Sequence, residues 1–227
     1  LLMTKRWLNE DANHNLSWSS PGAALVVRGP LTDTSNPPPW ITLWESGTPP
    51  VPKEVNDASM ERVPGKFLLF LACNDGVYLV IVRDDGHVES AYNLIGGYPW
   101  KIVGLTTDMK NGKVSCVFKR DNGQLYYLET DDLGALLIPP PPEAIYDLGS
   151  TNDCLPSMCL RPDGTPVVVW HKEVQGEPAS IWLSQRTGSG WTTPRFLCYG
   201  KDPCVTWAMD RLMVAFWTGG PQRANYI

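Results

Sequence analysis

The sequence predicts an all-β fold: a single five-bladed β-propeller over residues 1–227, built of four-stranded antiparallel blades and closed into a ring by its N-terminal strand. Three observations predict it. An apolar strand that follows a turn returns five times along the chain. A second strand with an aromatic at a matching place comes after it each time. Helical signals are poor, because 21 Pro and 20 Gly are spread throughout and no window sustains a 3.6-residue period.

The first strands of the five repeats read Ala24-Leu25-Val26-Val27, Phe67-Leu68-Leu69-Phe70-Leu71, Val114-Ser115-Cys116-Val117-Phe118, Val167-Val168-Val169-Trp170 and Leu212-Met213-Val214-Ala215-Phe216. Four follow a glycine (Gly22, Gly65, Gly112, Gly164) and the last follows Asp210, so the steps are 43, 47, 52 and 46 residues. That spacing suits one four-stranded blade per repeat. The second strands carry Trp40, Tyr78, Tyr126, Trp182 and Tyr226. Outer strands pair an aromatic with a leucine at Tyr92-Asn93-Leu94, Tyr146-Asp147-Leu148 and Arg195-Phe196-Leu197. The last repeat stops at Tyr226-Ile227 with no outer strand of its own, and Trp7-Leu8 fits that slot. Residues 5–8 are therefore expected to complete it and remove an exposed sheet edge. The blades then run over 15–56, 57–97, 98–150, 151–198, and 199–227 plus 4–9. Their innermost strands are expected at 16–20, 60–63, 101–105, 156–160 and 204–209. The proline clusters at 37–39, 49–50 and 139–142 fall between strands and read as loops.

Composition excludes some classes of function. The net charge of −5, with no basic cluster denser than Lys5-Arg6 or Lys119-Arg120, offers no footprint for a phosphate backbone, so no nucleic-acid partner is expected. The apolar runs at 67–72 and 77–82 are too short to cross a bilayer, and no membrane insertion is expected. The chain opens Leu1-Leu2 before Met3, and this end carries no readable address. Of six cysteines, Cys73 and Cys116 sit on apolar strands and read as buried thiols. Cys154/Cys159 and Cys198/Cys204 are the pairs that an oxidising compartment could bridge. No spacing suits a zinc site, and neither metal nor cofactor is expected. Asn15-Leu16-Ser17 is a glycosylation sequon by pattern.

The fourth repeat carries a family resemblance. Its strand 160–170, followed by Ser180-Ile181-Trp182-Leu183-Ser184 and Gly188-Ser189-Gly190-Trp191, resembles a blade of the sialidase-like (BNR, Asp-box) propellers, whose mark is S-x-D-x-G-x-T-W. Ser184, Gly188 and Trp191 match, whereas Arg186 stands in the aspartate's place and Gly190 in the threonine's. In that family the motif is a folding device at the blade's periphery, so the resemblance implies a fold and no chemistry. The count of five repeats is closer to five-bladed lectins.

Glycoside hydrolysis would need two carboxylates at the channel mouth, delivered by innermost strands. On the expected strands only Glu61 is acidic, with Asp153 and Asp210 just outside. Sialidases also use three arginines and a tyrosine, and these strands hold Arg62 alone and no tyrosine. The resulting expectation is a non-enzymatic recognition propeller, most naturally for glycans, on a secreted, cell-surface or virion-borne protein. A docking module of a larger assembly, such as a phage tail or capsid-decoration component with a protein partner, is the alternative, and a sialidase-like glycoside hydrolase the second. Ten Trp and eight Tyr supply faces for sugar rings. The register aromatics and Trp170 read as packing. Trp18, Trp100, Trp207 and Trp217, with Arg161 and His171, are the candidate ligand contacts, because they lie on or beside innermost strands or depart from the repeat's register. The turns Asn74-Asp75-Gly76, Asp84-Asp85-Gly86 and Asp121-Asn122-Gly123 read as tight hairpins.

Overall fold

A computed structural model describes residues 55–95, 100–130, 141–147 and 155–218 in full, and the backbone of strands within 2–5, 8–10, 16–18, 22–27, 41–45 and 224–226. The chain divides into two compact units, 1–99 and 100–227. Every described element is a strand, turn or bend.

In the first unit, β1 (Leu2–Lys5), β2 (Leu8–Glu10), β3 (Leu16–Trp18), β4 (Gly22–Val27) and β5 (Ile41–Glu45) precede a four-stranded meander of β6 (Val55–Val63), β7 (Lys66–Cys73), β8 (Gly76–Arg83) and β9 (Val88–Asn93). The meander forms because each hairpin is closed by a turn that its sequence dictates. Gly65 takes φ +77° after Pro64, and Gly86 takes +85° after Asp84-Asp85, conformations that only glycine reaches without steric cost. β7 and β8 are apolar on both faces and buried along nearly their whole length, as interior strands of a stacked sheet must be. Leu69, Leu71, Val80 and Val82 form one side of that core.

The N-terminal strand does not sit where the repeat pattern put it. β1 pairs antiparallel with β4, Lys5 opposite Gly22 and Leu2 opposite Leu25, so it takes the first position of the first sheet. The stretch expected there, 16–20, instead pairs through Leu16–Trp18 with Leu8–Glu10 as a separate two-stranded ribbon. Pattern alone favoured 5–8 for the last sheet because Trp7-Leu8 matches the outer-strand motif; backbone pairing overrode that local likeness.

The second unit holds three sheets. β10 (Ile102–Lys110), β11 (Lys113–Arg120), β12 (Gln124–Thr130) and β13 (Glu143–Asp147) make the first. β14 (Ser157–Leu160), β15 (Pro166–Lys172) and β16 (Ser180–Thr187) continue into the second, where β16 pairs with both the two-residue β17 (Gly190–Trp191) and β18 (Arg195–Tyr199). β19 (Lys201–Ala208), β20 (Arg211–Trp217) and β21 (Ala224–Tyr226) form the third. The aromatic register holds in three repeats, where Leu71 lies opposite Tyr78, Phe118 opposite Tyr126 and Trp170 opposite Trp182, and slips by one in the last, where Tyr226 lies opposite Ala215 and Phe216 opposite Asn225. Adjacent sheets bury these faces together. Val117, Leu125 and Tyr127 pack with Met158, Val168 and fully buried Trp170, and Val169, Ile181 and Leu183 pack with Val205, Val214 and Phe216.

Three of the expected innermost strands are longer than expected. β6 begins at Val55, β10 runs on to Lys110 and β19 begins at Lys201, which brings Asp57, Asp108 and Asp202 onto them beside Glu61. Cys73 and Cys116 are buried and free, as expected; Cys159, Cys198 and Cys204, from the pairs that an oxidising compartment could bridge, are free in this structure. Burial pushes the Cys73 thiol up to about 12 and that of Cys159 to about 11. Cys154, Asp153, Trp7, Trp40, the Asn15 sequon and the clusters at 37–39 and 49–50 lie outside the described residues. No described helix is long and apolar enough to cross a membrane.

Candidate functional site

The chemistry-bearing corner of the second unit is built around the last residues of β15. That strand is an apolar run, Val167 to Trp170, followed abruptly by His171, whose side chain is 1% exposed. The equivalent place in the neighbouring repeats holds Ala72, Lys119 and Trp217. A titratable ring at a fully buried strand end needs partners, and β19 supplies one. The backbone N–H of Asp202 donates to His171 Nδ1 at 3.2 Å. An acceptor Nδ1 leaves the neutral ring's proton on Nε2. That nitrogen is buried and makes no hydrogen bond among the described residues; Glu173 Oε1 faces it from 4.0 Å, beyond hydrogen-bond reach.

Two carboxylates therefore flank one imidazole, Asp202 Oδ1 lying 3.8 Å from Nδ1. Lys201 forms an ion pair with Glu173. Its hydrogen bond is the main reason that the Glu173 carboxyl is held below the usual range. Burial lowers the proton affinity of His171; Asp202 and Glu173 oppose this, and the Lys201 and Lys119 charges add to it. Both carboxylate side chains reach solvent, at 38% and 67% exposure, while the ring between them does not. Backbone geometry makes the arrangement possible. Asp202 adopts φ +48° at an irregularity between Lys201 and Cys204. Gly200 lets β19 enter so close to β20 that an added Cβ would stand 2.6 Å from Phe216 Cδ2.

The residues singled out in the sequence fall into separate places. His171 and Trp217 share this end of the strands, Trp217 lying opposite Lys201 and 42% exposed. Trp100, at the start of β10, is packed between Tyr126, with ring centroids 4.8 Å apart, and the Arg120 guanidinium 4.3 Å above it. Arg161 and Trp207 come together at the opposite end of their strands, the guanidinium 5.2 Å over the indole, with Arg161 also donating to Gln185. The Trp18 side chain is outside the described residues. Glu61 lies opposite Leu68, three places before the Pro64-Gly65 turn; Asp108 has the same place in β10, opposite Ser115, and accepts from the Leu160 N–H at 2.7 Å. Glu173, Lys201 and Asp202 were missed. The signal was a charged pair, Lys201-Asp202, directly before a proline at the mouth of an innermost strand that had been started three residues too late.

The degenerate Asp-box keeps its hairpin. Arg186 lies opposite Trp191 and Thr187 opposite Gly190, and Ser184 Oγ donates to the Thr192 carbonyl at 2.8 Å. Arg186, in the aspartate's place, points to two glutamates: Nη1 is 3.5 Å from Glu129 and Nη2 3.2 Å from Glu143.

No family model and no curated protein sequence matches the chain. Its backbone is similar to that of an α-L-arabinofuranosidase from Podospora anserina solved in complex with cellotriose, with a TM-score of 0.51 at 12% identity over 91% of this chain and 81% of the other. Weaker likenesses are to a β-1,3-galactosidase of family GH43 solved with galactodeoxynojirimycin (TM-score 0.48, 13% identity, 100% of this chain and 94% of the other) and to a thermostable family-43 glycoside hydrolase (TM-score 0.48, 13% identity). For the latter the match covers 71% of this chain and 63% of that one. The first of these likenesses supports a propeller fold, in keeping with the antiparallel four-stranded sheets described above. The functional expectation is corrected accordingly: the arabinofuranosidase whose backbone the chain resembles is an enzyme, which runs against the reading as a non-enzymatic recognition propeller. The sialidase-like assignment is not shown either, and the hairpin of the fourth repeat stands as a local likeness.

Proposed function

We propose that the chain is a glycoside hydrolase on a closed five-bladed propeller, acting on neutral glycans of the kind that arabinofuranosidases and galactosidases cleave. The observation that carries the reading is the pair of solvent-reaching carboxylates, Glu173 and Asp202, set about one buried imidazole on a fold similar to an arabinofuranosidase's. Hydrolysis of a glycosidic bond needs one carboxyl to protonate the leaving oxygen and another to act on water or on the sugar. Lys201 keeps Glu173 ionised, which suits it to act on water or on the sugar, and Asp202 is the second carboxyl of the pair. His171, buried between the two carboxylates, is a positioning residue: its Nδ1 accepts from the Asp202 N–H and fixes the backbone that carries that carboxyl. Trp217 offers a face for the sugar's C–H side.

The test is hydrolysis of 4-nitrophenyl α-L-arabinofuranoside, β-D-xyloside and β-D-galactoside and of arabinoxylan by the purified chain. Release of product, reduced by about 100-fold or more in both Glu173→Gln and Asp202→Asn, is the expected result. Full activity in both variants would move the site elsewhere, with Glu61→Gln the next substitution to assay. No turnover of any of these substrates by folded protein would sink the proposal.

A further inference from the structure

At the hairpin end of the same strands, away from His171, a cleft opens between the sheet of β10 to β13 and the sheet of β14 to β18. It comprises two adjoining cavities of about 420 and 280 Å³ that share Glu129, Asp163 and Gly164. Lys110 and Lys113 line one, Arg186 and Gly188 the other. We propose that this cleft is a second binding site, for a neutral sugar or polyol, independent of any hydrolysis at His171.

The argument is one of charge and hydrogen-bond capacity. Three carboxylates (Glu129, Glu143, Asp163) meet three cations (Lys110, Lys113, Arg186), and each is already tied. Arg186 spans the two glutamates, Lys113 lies 3.6 Å from Glu129, Lys110 donates to the Arg161 and Pro162 carbonyls, and Asp163 accepts from the Thr165 N–H. No net charge is left to hold an ion, whether phosphate or a divalent cation. What remains is fixed hydrogen-bonding capacity. Glu129 Oε2 is occupied by the Tyr127 hydroxyl at 2.6 Å, and Tyr127 is itself fixed by Ser115 at 2.9 Å. Glu129 Oε1 faces only Lys113 among the described residues, and so keeps acceptor capacity. A ligand whose hydroxyls both donate and accept, without charge, matches such a wall, and the size falls within the roughly 300–1,000 Å³ of small-molecule sites.

Gly188 makes the test specific. A Cβ at that position would meet nothing within 4 Å, so a large side chain can be added at the cleft's wall without a clash at its Cβ. Amide spectra of the full chain are recorded with L-arabinose, D-xylose, D-galactose, D-glucose and cellobiose. The expected result is saturable shifts at Gly164, Thr165, Thr187 and Gly188 that persist in Glu173→Gln and weaken by about tenfold or more in Gly188→Phe. If Gly188→Phe does not fold, Glu129→Gln is expected to weaken the same shifts. Absence of shifts at these amides with every sugar at concentrations on the order of 50 mM, shifts unchanged in the variants, or shifts with inorganic phosphate in place of the sugars would overturn the inference. A chain that hydrolyses nothing but shows these shifts would leave the cleft proposal standing and remove only the hydrolase reading.

Discussion

The two ends of the strands in the second unit solve opposite problems with similar residues. At the hairpin end, Glu129, Glu143, Asp163, Lys110, Lys113 and Arg186 each find a partner, in a partly exposed cleft. At the other end, His171 is taken out of water with one nitrogen unsatisfied among the described residues, while its two carboxylate neighbours stay wet. Matched charges in high-dielectric surroundings contribute little to stability and shape a surface. An unmatched polar group in a dry strand end costs free energy. Such a cost persists where a site uses the group or where the surrounding packing over-determines it.

The largest expected effect breaks the packing that separates the two ends. Trp170 is fully buried between Val117, Tyr127 and Met158, and its ring lies 5.7 Å from that of Tyr146. Trp170→Ala is expected to cost about 3–5 kcal/mol, read as a fall in the urea midpoint, and to disturb both ends at once. A loss below about 1 kcal/mol would mean that the sheets do not rely on this contact.

A smaller effect sharpens the comparison through pH. Burial depresses the His171 pKa below its ordinary 6.5, so the unfolded chain takes up the proton first. The stabilisation is complete above about 6.5 and is lost as pH falls below it. His171→Asn, which keeps an acceptor for the Asp202 N–H and does not titrate there, is expected to flatten the dependence of the urea midpoint on pH below about 6.5. An unchanged slope would assign that titration to other groups.

The smallest effect compares two turns. Asn111-Gly112 and Met209-Asp210 both adopt positive φ at both residues (+54° and +79°; +51° and +58°), the geometry of a two-residue hairpin loop that favours Asn-Gly. The fifth repeat makes it with a methionine that is 85% exposed. The double substitution Met209→Asn, Asp210→Gly is expected to raise stability by about 1 kcal/mol, measured as an increase in the urea midpoint without a change in slope.

Strand identity, register and hairpin position were legible in the chain because they rest on local chemistry. A period-2 or fully apolar run bounded by glycine or Asn-Gly has few alternatives, so β7, β8, β11 and β15 and their opposed aromatics were readable residue by residue. The site was half legible. His171 stood out because a histidine follows four apolar residues where the repeats around it hold an alanine, a lysine and a tryptophan. Lys201 and Asp202 did not, because what brings them to His171 is the entry of β19 beside β15, a contact between residues about thirty apart that Gly200 permits; Glu173, only two residues past His171, gains its partner Lys201 by the same entry. Arg186, read in sequence as a broken motif, acquired a role only once β16 lay beside β12 and β13. By itself, then, the sequence determined the all-β repeat, because backbone propensity and burial pattern act within a few residues. The tertiary structure alone decided that the N-terminal strand joins the first sheet and which charges share an end. Those outcomes depend on edge pairing and sheet packing between distant segments, for which no local pattern carries the information.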